Sequence, residues 1–147
     1  MNARYLVVSG RVLLSVIFLL SGLTKITDWD GTTQYMASKE LPLIPLLLVA
    51  AIITELAGGL SVLLGWKTRW GALLLFLYLI PTTLVFHNFW ALSGTEMQMQ
   101  LMHFLKNLSI MGGLLLGAAS DDLAMAERPA YVTAESTTPP LRRAMAG

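Results

Sequence analysis

A few ionisable side chains stand in otherwise apolar stretches, and each needs a partner or a use there. Glu55 lies near the middle of the run Pro42–Leu64. Arg11 lies about two turns into the first apolar run. If the two runs are antiparallel helices, Arg11 and Glu55 come to similar depths, and an Arg11–Glu55 ion pair is expected. It would staple the hairpin, or leave Glu55 as a proton-accepting carboxylate beside a ligand.

A second group collects towards the other ends of the runs. Lys25 closes the first, His87 and Asn88 close the third, and His103, Lys106 and Asn107 open the fourth. His103 is three residues from Lys106 and four from Asn107, so all three share one helix face. Facing inward, they meet His87 and Lys25 at one level, edged by Phe86, Phe89, Trp90 and Phe104. Such a pocket suits a quinone headgroup: aromatic rings to stack on, donors for carbonyl oxygens, and His as proton donor or acceptor. Lys25, His87, Trp90, His103, Lys106 and Asn107 are the candidate cofactor-binding residues; Glu55, Arg11, His87 and His103 are the candidates for chemistry. A small anion such as an oxidised sulfur species also suits two lysines. Haem or a metal on His87 and His103 is disfavoured, because two histidines are a weak ligand set. The plain alternative is that His and Lys snorkel to the interface and bond loop carbonyls.

These residues need helices to position them. Four apolar segments reach the roughly 20 residues that cross a bilayer: Tyr5–Leu23, Pro42–Leu64, Trp70–Phe89 and Leu101–Ala119. None alternates like a membrane β-strand. Pro42 and Pro45 suit a helix start, Gly65 a helix end, and the Trp residues the interfaces. The expected fold is an all-α polytopic bundle of four transmembrane helices over residues 1–120, followed by a flexible tail over 121–147, rich in Thr, Ala, Pro and Glu. Asp30 to Lys39 reads as a short interfacial helix capped by Asp30, with Tyr35 and Met36 on its apolar side. Small residues at four-residue spacing, Ala57/Ser61/Gly65 and Ser109/Gly113/Gly117, mark the second and fourth spans as inner contact helices. Pro81 is placed to kink the third span.

Lys and Arg set the orientation. Arg4, Arg11, Lys67, Arg69, Arg128, Arg142 and Arg143 fall on one side of a four-span topology. The other side has Lys25 and Lys39, offset by Asp28, Asp30 and Glu40. Both termini are therefore expected in the cytoplasm.

Composition excludes much else. Of 147 residues, 55% are hydrophobic and 13% charged, about half the charge of a soluble domain. A net charge of +1 offers no surface for nucleic acid. With no cysteine, the chain has no thiolate, disulfide or persulfide chemistry of its own.

Taken in order, these residues resemble the DoxX family of small bacterial membrane proteins. The resemblance rests on Arg11 with Phe18, Ser21-Gly22 and Lys25; on Glu55 with Gly58-Gly59 and Gly65; on Thr68-Arg69; and on Thr83 through His87-Asn-Phe-Trp90. It continues with Phe104-Leu-Lys-Asn107 and Gly112-Gly113. Asn88 stands where many relatives have an acidic residue. The resemblance implies a four-helix bundle in the bacterial inner membrane. It implies a subunit of a quinone-linked oxidoreductase or redox-stress system, with other subunits or copies of itself as partners besides membrane lipid. A non-catalytic anchor of a larger complex is the alternative, and a small oligomeric transporter a third.

Overall fold

The computed structural model describes residues 3–126, with side chains described over 4–120. Arg128, Arg142, Arg143 and most of the expected tail lie outside the described residues. The elements are all helical: α1 Ala3–Thr27, α2 Trp29–Ala37, α3 Ile44–Leu64, α4 Thr68–Phe86, a single 3-10 turn Phe89–Ala91, and α5 Gly94–Ala126. Four stretches, Arg4–Thr27, Ile44–Leu64, Thr68–Ala91 and Gly94–Ser120, are long and apolar enough to cross a membrane.

Breaks between helices have local causes. α1 passes into α2 at Asp28, whose backbone leaves the helical region; Asp28, not Asp30, holds the N-cap position, and its side chain makes no cap bond. Glu40 and Leu43 adopt positive φ, and Pro45 occupies the first turn of α3, where a missing N–H costs nothing. At the other end Gly65 takes φ 72°, and the Trp66 N–H returns to the Ser61 carbonyl, a Schellman closure. Lys67, also at positive φ, is the N-cap of α4.

Small residues set the packing. A Cβ on Gly22 would lie 2.8 Å from Leu56 Cδ2, and one on Gly59 3.0 Å from Leu19 Cδ2, so α1 and α3 meet closely. Gly58 seats Leu75, and Gly71 seats Ser61, joining α3 to α4. α4 packs on α5, and α5 touches α1 lightly, with Gly113 against Leu14. The sequence marked both α3 and α5 as inner contact helices: α3 packs on α1 and α4, whereas α5 packs on α4 and reaches α1 only around Gly113. α3 and α5 lie diagonally and do not meet, and a Cβ on Gly112 or Gly117 would meet nothing within 4 Å.

The buried core of Phe18, Val62, Ala72, Leu75, Leu79, Leu114 and Ala118 fills the bundle from the α3–α4 turn to its middle, where Phe18 and Leu79 reach the loop-end cavity. Towards α2 and the 3-10 turn (the loop end) the bundle opens into a largely apolar cavity with polar residues on its inner wall.

Candidate functional site

Three helices converge on one carboxylate at mid-bundle. Glu55 of α3 is buried, its side chain 5% exposed. Lys25 Nζ, from the last turn of α1, lies 2.9 Å from Glu55 Oε1 and 3.0 Å from Oε2. Ser21, one turn earlier on the same face, accepts from Lys25 Nζ at 2.6 Å and donates to Glu55 Oε1 at 3.2 Å. The Tyr78 hydroxyl of α4 donates to the same oxygen at 2.8 Å. A lone carboxylate would be costly at this depth; here an ammonium and two hydroxyls compensate it.

The expected Arg11–Glu55 pair does not form, because the depths differ. α1 and α3 run antiparallel in a register that sets Gly22 against Glu55 and Leu56, and Arg11 beside Gly65. Gly65 is ten residues along α3 from Glu55, about 15 Å of helix rise. Lys25 reaches Glu55 because its flexible stem runs back along α1 into the bundle.

Glu55 borders a cavity of about 840 Å³ at the loop end, within the size range of small-molecule sites. Ser21, Lys25, Glu55 and Tyr78 line its inner part, and His87, Lys106 and Asn107 also contribute. The remaining lining is mostly apolar, including Met36, Leu47, Leu79 and Phe86. Tyr35 of α2 stacks on Phe86 with ring centroids 5.3 Å apart, fixing the short helix against the cavity wall. Pro81 sits inside α4 and faces the same space.

The outer cluster is only partly assembled as expected. The His87 and His103 rings stack at 5.2 Å, His87 Nδ1 bonds Gln100 Oε1 at 2.8 Å, and Lys106 Nζ lies 3.3 Å from His103 Nδ1. His87 and Lys106 border the cavity, whereas His103 does not. Asn107 is buried and donates to Thr83 Oγ1 at 3.0 Å, tying α5 to α4. Trp90 packs edge-on against Phe89 and Phe104, is 57% exposed, and stands off the cavity. Lys25 belongs with Glu55 rather than with the histidines.

Sequence reading missed Tyr78, Thr83 as the partner of Asn107, and the part played by Ser21. Two signals were available. Ser21 and Lys25 are four apart on one face, and a tyrosine in mid-span needs a partner for its hydroxyl.

Comparison with known proteins adds five findings. A family model described as DoxX matches residues 6–88. That range includes Arg11, Lys25, Glu55, Tyr78 and His87, and stops short of Trp90, His103, Lys106 and Asn107. The inner membrane protein YphA of Escherichia coli is 33% identical over 111 residues, 76% of this chain and 79% of YphA. The inner membrane protein YqjF of the same organism is 39% identical over 110 residues, 75% of this chain and 79% of YqjF. CatD of Bacillus subtilis, provisionally named an oxidoreductase, is 41% identical over 59 residues, 40% of this chain and 42% of CatD. No solved structure matches. With four helices able to span a bilayer and two inner-membrane relatives, the chain is a multi-pass inner-membrane protein.

Proposed function

The chain belongs to the DoxX family, and from that premise we propose that it is an integral membrane subunit of a quinone-linked redox system, its loop-end cavity holding the quinone ring. One observation carries this reading: a single cavity joins a buried, hydrogen-bonded carboxylate and the N–H donors Lys106 and His87 to a largely apolar and aromatic wall. The partial likeness to CatD, provisionally named an oxidoreductase, supports redox work.

The donor set suits a quinone. Lys106 and His87 border the cavity and offer N–H groups to a carbonyl oxygen. Phe86, backed by Tyr35, offers a ring face. A bound quinone would supply a carrier that takes up electrons together with protons. The chain's own residues would hold the ring, exclude water with apolar walls, and keep a proton-accepting oxygen at Glu55 under the control of Lys25 and Tyr78. In this reading both termini face the cytoplasm and the cavity lies towards the opposite face of the membrane.

The test is the quinone content of gently extracted protein. Wild type should carry quinone and Lys106→Ala should lose most of it. Quinone-free wild type that shows no quinone reduction with any co-purifying partner would refute the reading.

A second reading has its own support. Lys25, Ser21 and Tyr78 all bond Glu55, and Asn107 bonds Thr83, so much of the polar network closes within the bundle. That suits a non-catalytic anchor that recruits other subunits. It requires co-purification with a larger complex, and a Glu55→Gln protein that is less stable yet leaves the complex's rate unchanged.

A further inference from the structure

The opposite end of the bundle holds a second hollow that the quinone reading does not use. It measures about 300 Å³ and lies between α1 and α5, with the first turn of α4 at its inner wall. Leu14, Leu114 and Leu116 make it apolar, and Gly10 and Gly117 leave it open, since a Cβ on either would meet nothing within 4 Å. Three polar side chains interrupt this lining, of which Ser120 donates to the Gly117 carbonyl of its own helix at 2.8 Å. Thr68, at the start of α4, is fully buried, yet its Oγ1 has no hydrogen-bond partner among the described residues. A buried hydroxyl left unmatched costs free energy. Arg11 lines the same hollow, and its guanidinium rests against Gly65.

Depth identifies what belongs there. Gly65 adjoins the α3–α4 turn, where Trp66 and Trp70 are 68% and 67% exposed, the usual place of Trp at the headgroup boundary. Lys67 lies over the Trp66 ring and Arg69 over the Trp70 ring, adding cations at the same level. The start of α4 carries the positive end of its helix dipole. An anionic group is therefore favoured at headgroup depth, beside an apolar groove between two helices that touch lightly.

We propose that this hollow is a binding site for an anionic phospholipid: the phosphate meets Arg11 and the Thr68 hydroxyl, and one acyl chain lies along the groove between α1 and α5. The phosphate satisfies the buried hydroxyl, and the chain fills the space that Gly10 and Gly117 leave. The site stands independently of the quinone reading, at the other end of the molecule.

The experiment uses the purified, delipidated full chain, with bound molecules counted by native mass spectrometry. The probes are dioleoyl phosphatidylglycerol, dioleoylglycerol (which has no phosphate) and inorganic phosphate. The expected result is one phosphatidylglycerol per chain, with dioleoylglycerol about fivefold weaker or worse and inorganic phosphate neither retained nor competing. Arg11→Gln should cut phosphatidylglycerol retention about fivefold. Thr68→Val, which keeps shape and removes the hydroxyl, should cut it by a smaller factor. Gly117→Leu should block the groove with both polar residues intact. Equal retention of phosphatidylglycerol and dioleoylglycerol overturns the proposal, as does competition by inorganic phosphate at lipid concentrations. If Arg11→Gln does not fold, Thr68→Val and Gly117→Leu decide the matter, and undiminished retention in both overturns it.

Discussion

Lys25 and Glu55, thirty residues apart in sequence, form a two-pronged ion pair across α1 and α3, with the ammonium 2.9 and 3.0 Å from the two carboxylate oxygens. The pair joins the structural and functional accounts. It ties two helices together, and it sits on the border of the cavity proposed to hold a quinone.

Removing one partner should cost more than removing both. Glu55→Leu leaves the Lys25 ammonium without its carboxylate inside the bundle. Because Lys25 is 22% exposed, the loss should fall somewhat below the 3–5 kcal/mol of a fully buried pair, about 2–3 kcal/mol. The double variant Lys25→Met/Glu55→Leu should recover much of it. Thermal unfolding in detergent measures both, and a double variant no more stable than either single one contradicts the account.

Gly58 and Gly112 should respond oppositely to a side chain. A Cβ on Gly58 would lie 2.6 Å from Leu75 Cγ, and Leu75 is fully buried. Gly58→Val should therefore destabilise by about 1–3 kcal/mol through overpacking. Gly112 faces open space, so Gly112→Ala should be neutral or stabilising by up to about 1 kcal/mol through helix propensity. Unfolding midpoints that move the same way in both variants would count against the packing described.

Asn107 and Thr83 should behave as a unit. Both are buried, and the amide donates to the hydroxyl at 3.0 Å. A double-mutant cycle with Asn107→Leu and Thr83→Val should give a coupling of about 0.6 kcal/mol, the average for hydrogen bonds between membrane helices, and no more than about 1.7 kcal/mol. Zero coupling would mean that each residue acts alone.

Within the outer cluster, Lys106 should matter more than His103 for ligand retention. Lys106 lines the cavity, whereas His103 is set back and acts through its stack on His87. Lys106→Ala should lose most bound quinone and His103→Ala only part of it, read by solvent extraction and chromatography. The reverse order would place the ligand outside this cavity.

The four spans were legible because long apolar runs and their Pro, Gly and Trp boundaries are local signals. α2 was foreseen within a residue or two, although its N-cap is Asp28 rather than Asp30. Glu55 was legible as costly in mid-span, but its partner was not. Pairing across helices depends on register, which Gly22, Gly59 and Gly65 set through contacts absent from any single segment. A Lys stem that reaches back along its own helix also separates a charge from its residue's apparent depth. Glycine spacing was informative for α5 only in part: Gly113 meets Leu14 of α1, whereas a Cβ on Gly117 would meet nothing within 4 Å. Tyr78 went unnoticed because a tyrosine among leucines blends into an apolar pattern.

The quinone reading puts a quinone ring in the loop-end cavity beside Glu55. A photoreactive azido-quinone, crosslinked to the protein in native membranes and mapped by peptide mass spectrometry, tests this most directly. Labels are expected on cavity-lining residues of α1, α3 and α4, such as Lys25, Leu47, Tyr78 or Phe86, displaced by excess unlabelled quinone and weakened by Lys106→Ala. Labels spread over the lipid-facing surface, or untouched by competitor, would contradict it.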